Sequence, residues 1–186
     1  MWLFEIISKM FGFFKKEVKV LVIGLDNSGK STILNKLQSK ETQNSLTIPT
    51  IGYNVEKIRV SQMIFLCFDM SGSGTYRNLW EKFYKECEAI IYVIDSSDEL
   101  RLTVVEDEFQ QLLKHPDIYN RRIPILLFAN KMDLPNSITV KEIVKIIGLE
   151  QVRNKSWRIF ASNAINGEGL NEGLMWLFGQ LKQNTN

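Results

Sequence analysis

The 186-residue chain is short of several features, and each shortage removes a class of protein. Two cysteines, Cys67 and Cys87, are too few for a disulfide framework and point to a reducing compartment. Four prolines and no low-complexity tract argue against collagen-like and disordered chains. Net charge is almost absent: 23 Lys and Arg against 21 Asp and Glu leave +2, too little to hold nucleic acid by broad phosphate electrostatics. The one histidine, His115, follows an apolar helical stretch and precedes Pro116, the place of a helix-end or surface residue. No internal repeat is visible. What is present is 45% hydrophobic and 24% charged residues, enough for one domain around a sizeable core.

The faint positive excess is local. Lys9, Lys15, Lys16 and Lys19 against Glu5 and Glu17 give +2 in the first 19 residues, and the other 167 balance at 19 of each sign. Five of the 20 aromatics (Trp2, Phe4, Phe11, Phe13 and Phe14) fall in the first 14 positions. Apolar residues at 2, 3, 6, 7, 10, 11, 13 and 14 follow helical spacing. A helix over 2–14 is about 20 Å long at ~1.5 Å per residue, short of the ~30 Å hydrocarbon core of a bilayer. The segment also lacks the basic start and small-residue cleavage site of a signal peptide. Two placements remain: flat in a membrane interface with Lys15, Lys16 and Lys19 at anionic head groups, or docked on the protein's own core.

Beyond Lys19, strands and helices alternate. Val18–Gly24 is an apolar, β-rich run, followed by a glycine loop and a helix reaching Ser39. Tyr53–Val60 and Met63–Asp69 read as an antiparallel hairpin about Ser61 and Gln62. Helices over Tyr76–Glu86, Leu100–Leu113, Thr139–Ile147 and Gly169–Lys182 interleave with strands Ala89–Asp95, Ile123–Asn130 and Trp157–Ala161. Continuous apolar runs such as AIIYVID and IPILLFAN suit strands covered on both faces. The expectation is an α/β fold: a six-stranded, mostly parallel sheet with one antiparallel edge strand and helices on both faces.

Gly24-Leu25-Asp26-Asn27-Ser28-Gly29-Lys30-Ser31 fits G-x-x-x-x-G-K-[ST] after a strand and at the opening of a helix. Its glycines let successive backbone N–H groups turn toward phosphate oxygens at a helix N-terminus. Lys30 is placed to reach the β- and γ-phosphates, and the Ser31 hydroxyl to ligate Mg²⁺. The loop alone does not separate kinases, ATPases and GTPases. Asn130-Lys131-Met132-Asp133 does, at the end of an apolar strand where α/β sheets contact ligands. The Asp133 carboxylate can accept from N1–H and the N2 amine of guanine, whereas adenine would leave it unpaired. Asp69, in Asp69-Met70-Ser71-Gly72, can hold Mg²⁺ through water while the Gly72 N–H approaches the γ-phosphate. The Thr50 hydroxyl can complete the Mg²⁺ shell when γ-phosphate is present, which makes its segment a switch. Phe160-Ala161-Ser162-Asn163, at the end of the last strand, is a weaker mark.

GLDNSGKS, PTIG, DMSG, NKMD and FAS, in this order and spacing, resemble the ADP-ribosylation-factor (Arf) family of small GTPases over nearly the whole chain. Asp26, the amphipathic N-terminal extension and an end at Gln183-Asn184-Thr185-Asn186 without a prenylation cysteine favour it over the Ras and Rab families. DMSG, HPDIYNRRIPILLFANKMDLP and the stretch Ala161–Leu170 further resemble the ciliary, Bardet–Biedl-linked Arf-like branch. The resemblance implies a P-loop NTPase fold, with residues 1–17 as amphipathic helix and basic linker and 18–186 as the GTPase domain. It implies GTP or GDP and Mg²⁺ as ligands, with Asp26, Asn27, Ser28, Gly29, Lys30, Ser31 and Thr32 around the phosphates. Ser31, Thr50 and Asp69 are then the metal set. Asn130 braces the phosphate loop, Lys131 packs its stem along guanine beside Asp133, and the Ala161 N–H, next to Ser162, meets guanine O6.

The resemblance carries partners too. Tyr53, Phe68 and Phe83 match an aromatic triad that the family presents to effectors; read from the residues alone, they are core packing. In the family GTP shifts the hairpin and drives the N-terminal helix onto membranes, here through Trp2, Leu3, Phe4, Ile7, Phe11 and Phe14. Effector or coat proteins, an exchange factor, a GTPase-activating protein and a membrane are the implied partners of a monomer that does not bind nucleic acid. Its implied place is the cytoplasm, a membrane when GTP-bound, and the cilium or basal body.

Two positions depart from the family. Glutamine usually follows the DxxG glycine and orients the attacking water; here it is Ser73, too short to span the same distance. With Lys30, Thr50, Gly72 and Ser73 as catalytic set, the expectation is a GTPase of slow intrinsic rate that depends on an activating protein, whose arginine can supply about 10³–10⁵-fold. An alternative is a GTP-loaded adaptor that barely hydrolyses because of Ser73; a small nucleotide kinase using the same loop is a third reading, opposed by NKMD. Trp2 stands where many members carry a myristoylated glycine, so that anchor is excluded and the N-terminal aromatics take its place.

Overall fold

A computed structural model describes residues 16–38 and 50–184; the helix expected over 2–14 lies outside them. Six strands form one sheet: β1 Lys16–Ile23, β2 Tyr53–Val60, β3 Met63–Met70, β4 Ala89–Asp95, β5 Ile125–Asn130 and β6 Trp157–Ala161. Their order is β2-β3-β1-β4-β5-β6, with β2 antiparallel to β3 and the other neighbours parallel. The helices are α1 Lys30–Leu37, α2 Glu81–Tyr84, α3 Leu102–Lys114, α4 Pro116–Tyr119, α5 Val140–Ile146 and α6 Leu170–Gln183.

Alternation builds two cores from one sheet. In β1, Leu21 and Ile23 join Tyr92, Phe109 and Leu112 on one face, while Val18, Val20 and Val22 join Phe65, Ile91 and Leu177 on the other. Every residue of β4 is buried, as a strand with neighbours on both edges and helices on both faces must be. Each such aliphatic side chain removed from water contributes about 1.5–3 kcal/mol. After β1 the chain fills one side of the sheet with β2 and β3, then crosses to β4, β5 and β6 on the other. That reversal opens a crevice at the carboxyl end of β1, the position from which open α/β sheets bind ligands.

The departures from expectation have local causes. Strand β1 starts two residues before Val18, because Lys16 and Glu17 pair with Met63 and Ile64. The helix expected over Tyr76–Glu86 is a 3₁₀ turn, Arg77–Leu79, followed by the four residues of α2. Two of its side chains reach back to the preceding loop: the Arg77 Nε donates to the Gly72 carbonyl and the Trp80 Nε1 to that of Ser71. These tethers hold the chain in tight i→i+3 turns such as Trp80 N–H to the Arg77 carbonyl. The short α4 escapes the sequence reading. His115 ends α3 and, through Nδ1, accepts from the Asp117 N–H to open α4 with Pro116 in its first turn, so the expected helix-end residue closes one helix and caps another. Cys67 is buried in β3 and Cys87 is buried just after α2. Among the described residues no helix is long and apolar enough to cross a membrane.

Candidate functional site

The loop 24–29 joins β1 to α1 and lines a cavity of about 310 Å³ with Lys30, Ser31, Thr32 and Thr50 on one side and Met70, Ser71, Gly72 and Ser73 on the other. Gly29, at φ +97°, admits no side chain: a Cβ would stand 2.3 Å from the Asn130 Nδ2. Lys30 is buried, and its ammonium donates to the Gly24 carbonyl at 3.0 Å and the Leu25 carbonyl at 2.8 Å. Burial pushes its pKa down to about 8, against the pull of Asp69.

Behind the lysine three oxygens converge. The Ser31 hydroxyl donates to Asp69 Oδ2 at 2.5 Å, Thr50 Oγ1 lies 3.2 Å from Ser31 Oγ, and the Thr50 hydroxyl donates to the same carboxylate oxygen at 3.4 Å. The other carboxylate oxygen, Asp69 Oδ1, is buried and has no hydrogen-bond partner among the described residues. Burial raises the Asp69 pKa despite the Ser31 hydrogen bond and the Lys30 charge, so the carboxylate lacks compensation. Two hydroxyls and one under-satisfied carboxylate fit Mg²⁺, which takes one or two protein carboxylates and completes its shell with phosphate and water. No cluster of three acidic, histidine or cysteine ligands occurs among the described residues, which is the distinction between such a site and an all-protein cage.

At the carboxyl ends of β5 and β6 a second group of residues meets. Asn130 is buried; its Nδ2 donates to the Ser28 carbonyl at 2.9 Å, and its Oδ1 accepts from the Ala164 N–H at 3.0 Å and the Ser162 hydroxyl at 3.4 Å. One amide thus ties the phosphate loop to the two loops expected around the base. Lys131 adopts φ +64° and pairs its ammonium with Asp95 Oδ2 at 2.6 Å. Asp133 and Ala161 are exposed, and the Ser162 carbonyl accepts from the Met132 N–H.

Away from the cavity, Tyr53, Phe68 and Phe83 stack into one group, with ring centroids 4.9 Å apart for Tyr53–Phe83, 5.1 Å for Phe68–Phe83 and 6.4 Å for Tyr53–Phe68. Phe68 and Phe83 rest on the core, but Tyr53 is half-exposed, as is its β2 neighbour Val55. Trp2, Leu3, Phe4, Ile7, Phe11 and Phe14 fall outside the described residues.

The role of Asp26 is not legible in the sequence, because its partners Arg77 and Arg101 lie far from it in the chain. Its Oδ1 lies 3.1 Å from Arg101 Nη1 and 4.0 Å from Arg77 Nη2, and Arg77 Nη1 in turn pairs with Glu108 at 2.8 Å. Charged residues on predicted helices read as solvated faces, so nothing marked these arginines. Asp95, the partner of Lys131, does carry a signal, a carboxylate at the end of an apolar strand.

The pattern of the ADP-ribosylation factor family matches residues 3–181. The zebrafish (Danio rerio) ADP-ribosylation factor-like protein 6 is 50% identical over 182 residues, which are 98% of each chain. The Caenorhabditis elegans protein of the same name is 39% identical over 181 residues, 97% of this chain and 95% of its own. Among solved structures, the Arl6 BBS3 small GTPase from Trypanosoma brucei with bound GppNp superposes with a TM-score of 0.84 at 40% identity, covering 90% of this chain and 99% of that one. These similarities give no support to the adaptor that Ser73 would keep from hydrolysing, nor to a nucleotide kinase. The chain belongs to the ADP-ribosylation factor family, and is a small GTPase that binds GTP and GDP with Mg²⁺, hydrolyses GTP, and switches with its nucleotide.

Proposed function

We propose that the GTP-bound chain recruits effector or coat proteins to a membrane, with the N-terminal amphipathic helix and basic linker as membrane-binding element and a GTPase domain that, expected from residue 18, begins with β1 at Lys16. The observation that carries this reading is the convergence of Ser31, Thr50 and Asp69 oxygens within 3.4 Å of one another. It joins the phosphate loop, the segment at Thr50 and the end of β3 at one point, so that the γ-phosphate side of the cavity and the hairpin answer to the same contacts. Ser31, Thr50 and Asp69 would hold Mg²⁺, which neutralises phosphate charge when bound.

The remaining roles follow from position. Asp26, Asn27, Ser28, Gly29 and Thr32 surround the phosphates, and the Lys30 ammonium, now turned onto its own loop carbonyls, faces the β- and γ-phosphates. Asn130 holds the base loops to the phosphate loop, Lys131 covers guanine, Asp133 reads its N1 and N2 donors, and Ala161 with Ser162 meets O6. In hydrolysis a water oxygen bonds to the γ-phosphorus while the bond to the β,γ-bridging oxygen breaks, giving GDP and phosphate. The Gly72 N–H steadies the γ-oxygens and the short Ser73 hydroxyl holds the water less firmly than a glutamine, so an activating protein sets the rate.

The Tyr53, Phe68 and Phe83 rings, grouped with Tyr53 half-exposed and the two phenylalanines resting on the core, serve as effector surface. Trp2, Leu3, Phe4, Ile7, Phe11 and Phe14 enter the membrane interface when GTP is bound. The cilium or basal body is the place of action that the kinship with ADP-ribosylation factor-like protein 6 favours. Liposome co-flotation of the full chain, loaded with GDP or a non-hydrolysable GTP analogue, tests the reading. Binding that depends on the analogue and is lost on deleting residues 2–14 supports it; equal flotation of both forms overturns it.

A further inference from the structure

We infer that Arg77 is a positioning residue for the γ-phosphate: it fixes the Gly72 carbonyl beside the phosphate loop and anchors that contact to α3 through Glu108. The inference rests on the nucleotide site proposed above and deepens it.

Gly72 lies flat on the loop. A Cβ there would come within 2.2 Å of the Asp26 nitrogen and 2.5 Å of the Gly24 carbonyl oxygen, so the two backbones are in direct contact. Side chains from the following turn hold it there. The Arg77 Nε donates to the Gly72 carbonyl at 2.8 Å, and the Trp80 Nε1 donates to the carbonyl just before it, that of Ser71, at 2.9 Å. Trp80 therefore holds the peptide that carries the Gly72 N–H, and Arg77 holds the next one, between Gly72 and Ser73, so that Gly72 is fixed from both sides.

The rest of the Arg77 guanidinium is also committed. Its Nη1 donates to Glu108 Oε1 at 2.8 Å, and its Nη2 stands 4.0 Å from Asp26 Oδ1. The Arg77 and Glu108 side chains are 18% and 22% exposed, so solvent screens this pair less than a surface ion pair. The second arginine at Asp26, Arg101, is held by Asp98 at 2.6 Å and belongs to the α3 end of the chain. A carboxylate beside phosphates is costly. Here two cations offset Asp26, and only Arg77 also touches the loop that meets the third phosphate.

A planar fork with five donors serves three partners at fixed angles, which a lysine cannot do. Because Gly72 faces the γ-phosphate and not the base or the α- and β-phosphates, loosening Arg77 acts on GTP far more than on GDP. A contact that favours one ligand only is a bias between two states.

The test measures the affinity of the full chain for GDP and for a non-hydrolysable GTP analogue by displacement of a fluorescent nucleotide. Arg77→Lys is expected to weaken the GTP analogue about tenfold and GDP less than about threefold. Glu108→Gln, on α3 and outside the cavity, shifts the ratio in the same direction by a smaller factor. Retained GDP affinity shows that a variant is folded, and if Arg77→Lys does not fold, Glu108→Gln decides alone. Equal loss for the two nucleotides, or an unchanged ratio in Glu108→Gln, overturns the role of Arg77. A wild-type chain that binds neither nucleotide overturns the site itself.

Discussion

Replacing Asn130 by alanine is the strongest single test of how the site is held together. Its side chain is 1% exposed and makes three hydrogen bonds, to the Ser28 carbonyl, the Ala164 N–H and the Ser162 hydroxyl. Truncation strands a buried acceptor on the phosphate loop and a buried donor on the loop after β6. Each stranded group costs about 1–3 kcal/mol, and the cavity left against Gly29 adds to it. We expect a loss of about 3 kcal/mol, which for a chain of this size lowers the melting temperature by about 6–12 °C. Nucleotide affinity should fall with it, since the phosphate loop and the base loops lose their common tie. Asn130→Asp sharpens the argument, because it keeps the acceptor for Ala164 but turns an oxygen toward the Ser28 carbonyl and should be no milder than alanine. The assay is urea unfolding of the nucleotide-free and GDP-bound protein. A loss below about 0.5 kcal/mol, the range of ordinary surface substitutions, would refute the bracing role.

Other expectations concern single groups. Ser73→Gln should raise the single-turnover rate of GTP hydrolysis by about ten- to a hundredfold without an activating protein; equal rates would show that side-chain length at 73 is irrelevant. The Ser28 hydroxyl is buried and has no hydrogen-bond partner among the described residues, so Ser28→Ala should stabilise the nucleotide-free protein by about 1 kcal/mol, read from its urea midpoint. Lys30 bears on pH: its folded pKa of about 8 lies below the unfolded 10.5, so between these values the unfolded chain binds the extra proton and stability rises with pH. The gain is at most about 3 kcal/mol. The buried Cys67 and Cys87 thiols, raised by burial, pull the other way, so the prediction concerns the difference from Lys30→Met, which should lack the rise. Parallel pH–stability curves for the two proteins would contradict it.

The sequence disclosed some strands to the residue, among them the continuous apolar run Ala89–Asp95 and the short Trp157–Ala161. It disclosed the motifs that follow β1, β3, β5 and β6 because each stands at a strand's carboxyl end, where sheet geometry leaves little choice of place, whereas Thr50 lies ahead of β2. It did not disclose what depends on pairs far apart in the chain. Asp26 and Arg101 are 75 positions apart and Arg77 and Glu108 31, and no local pattern announces that a charge on a helix will be shielded by another. The 3₁₀ turn at Arg77–Leu79 was hidden for the same reason, since tethers to the loop, not propensity, shape it. Tyr53, Phe68 and Phe83 were legible as a triad only through the family resemblance and not from the residues alone, because three rings on β2, β3 and α2 meet only once the hairpin has its register.

That register limits how the hairpin can move. Strand β3 lies against β1 over seven residue pairs, from Lys16 with Met63 to Val22 with Asp69, and its buried side chains alternate. A slip by one residue would carry Phe65 and Cys67 out of the core they share with Val20 and Ile91 and force Leu66 and Phe68 into it. A slip by two, about 6.6 Å at ~3.3 Å per residue, returns every side chain to its own face. Displacement of β2 and β3 along β1 is therefore counted in even steps, with parity as the gate. A hairpin bound by that rule jumps between discrete rungs and has no stable place to rest halfway.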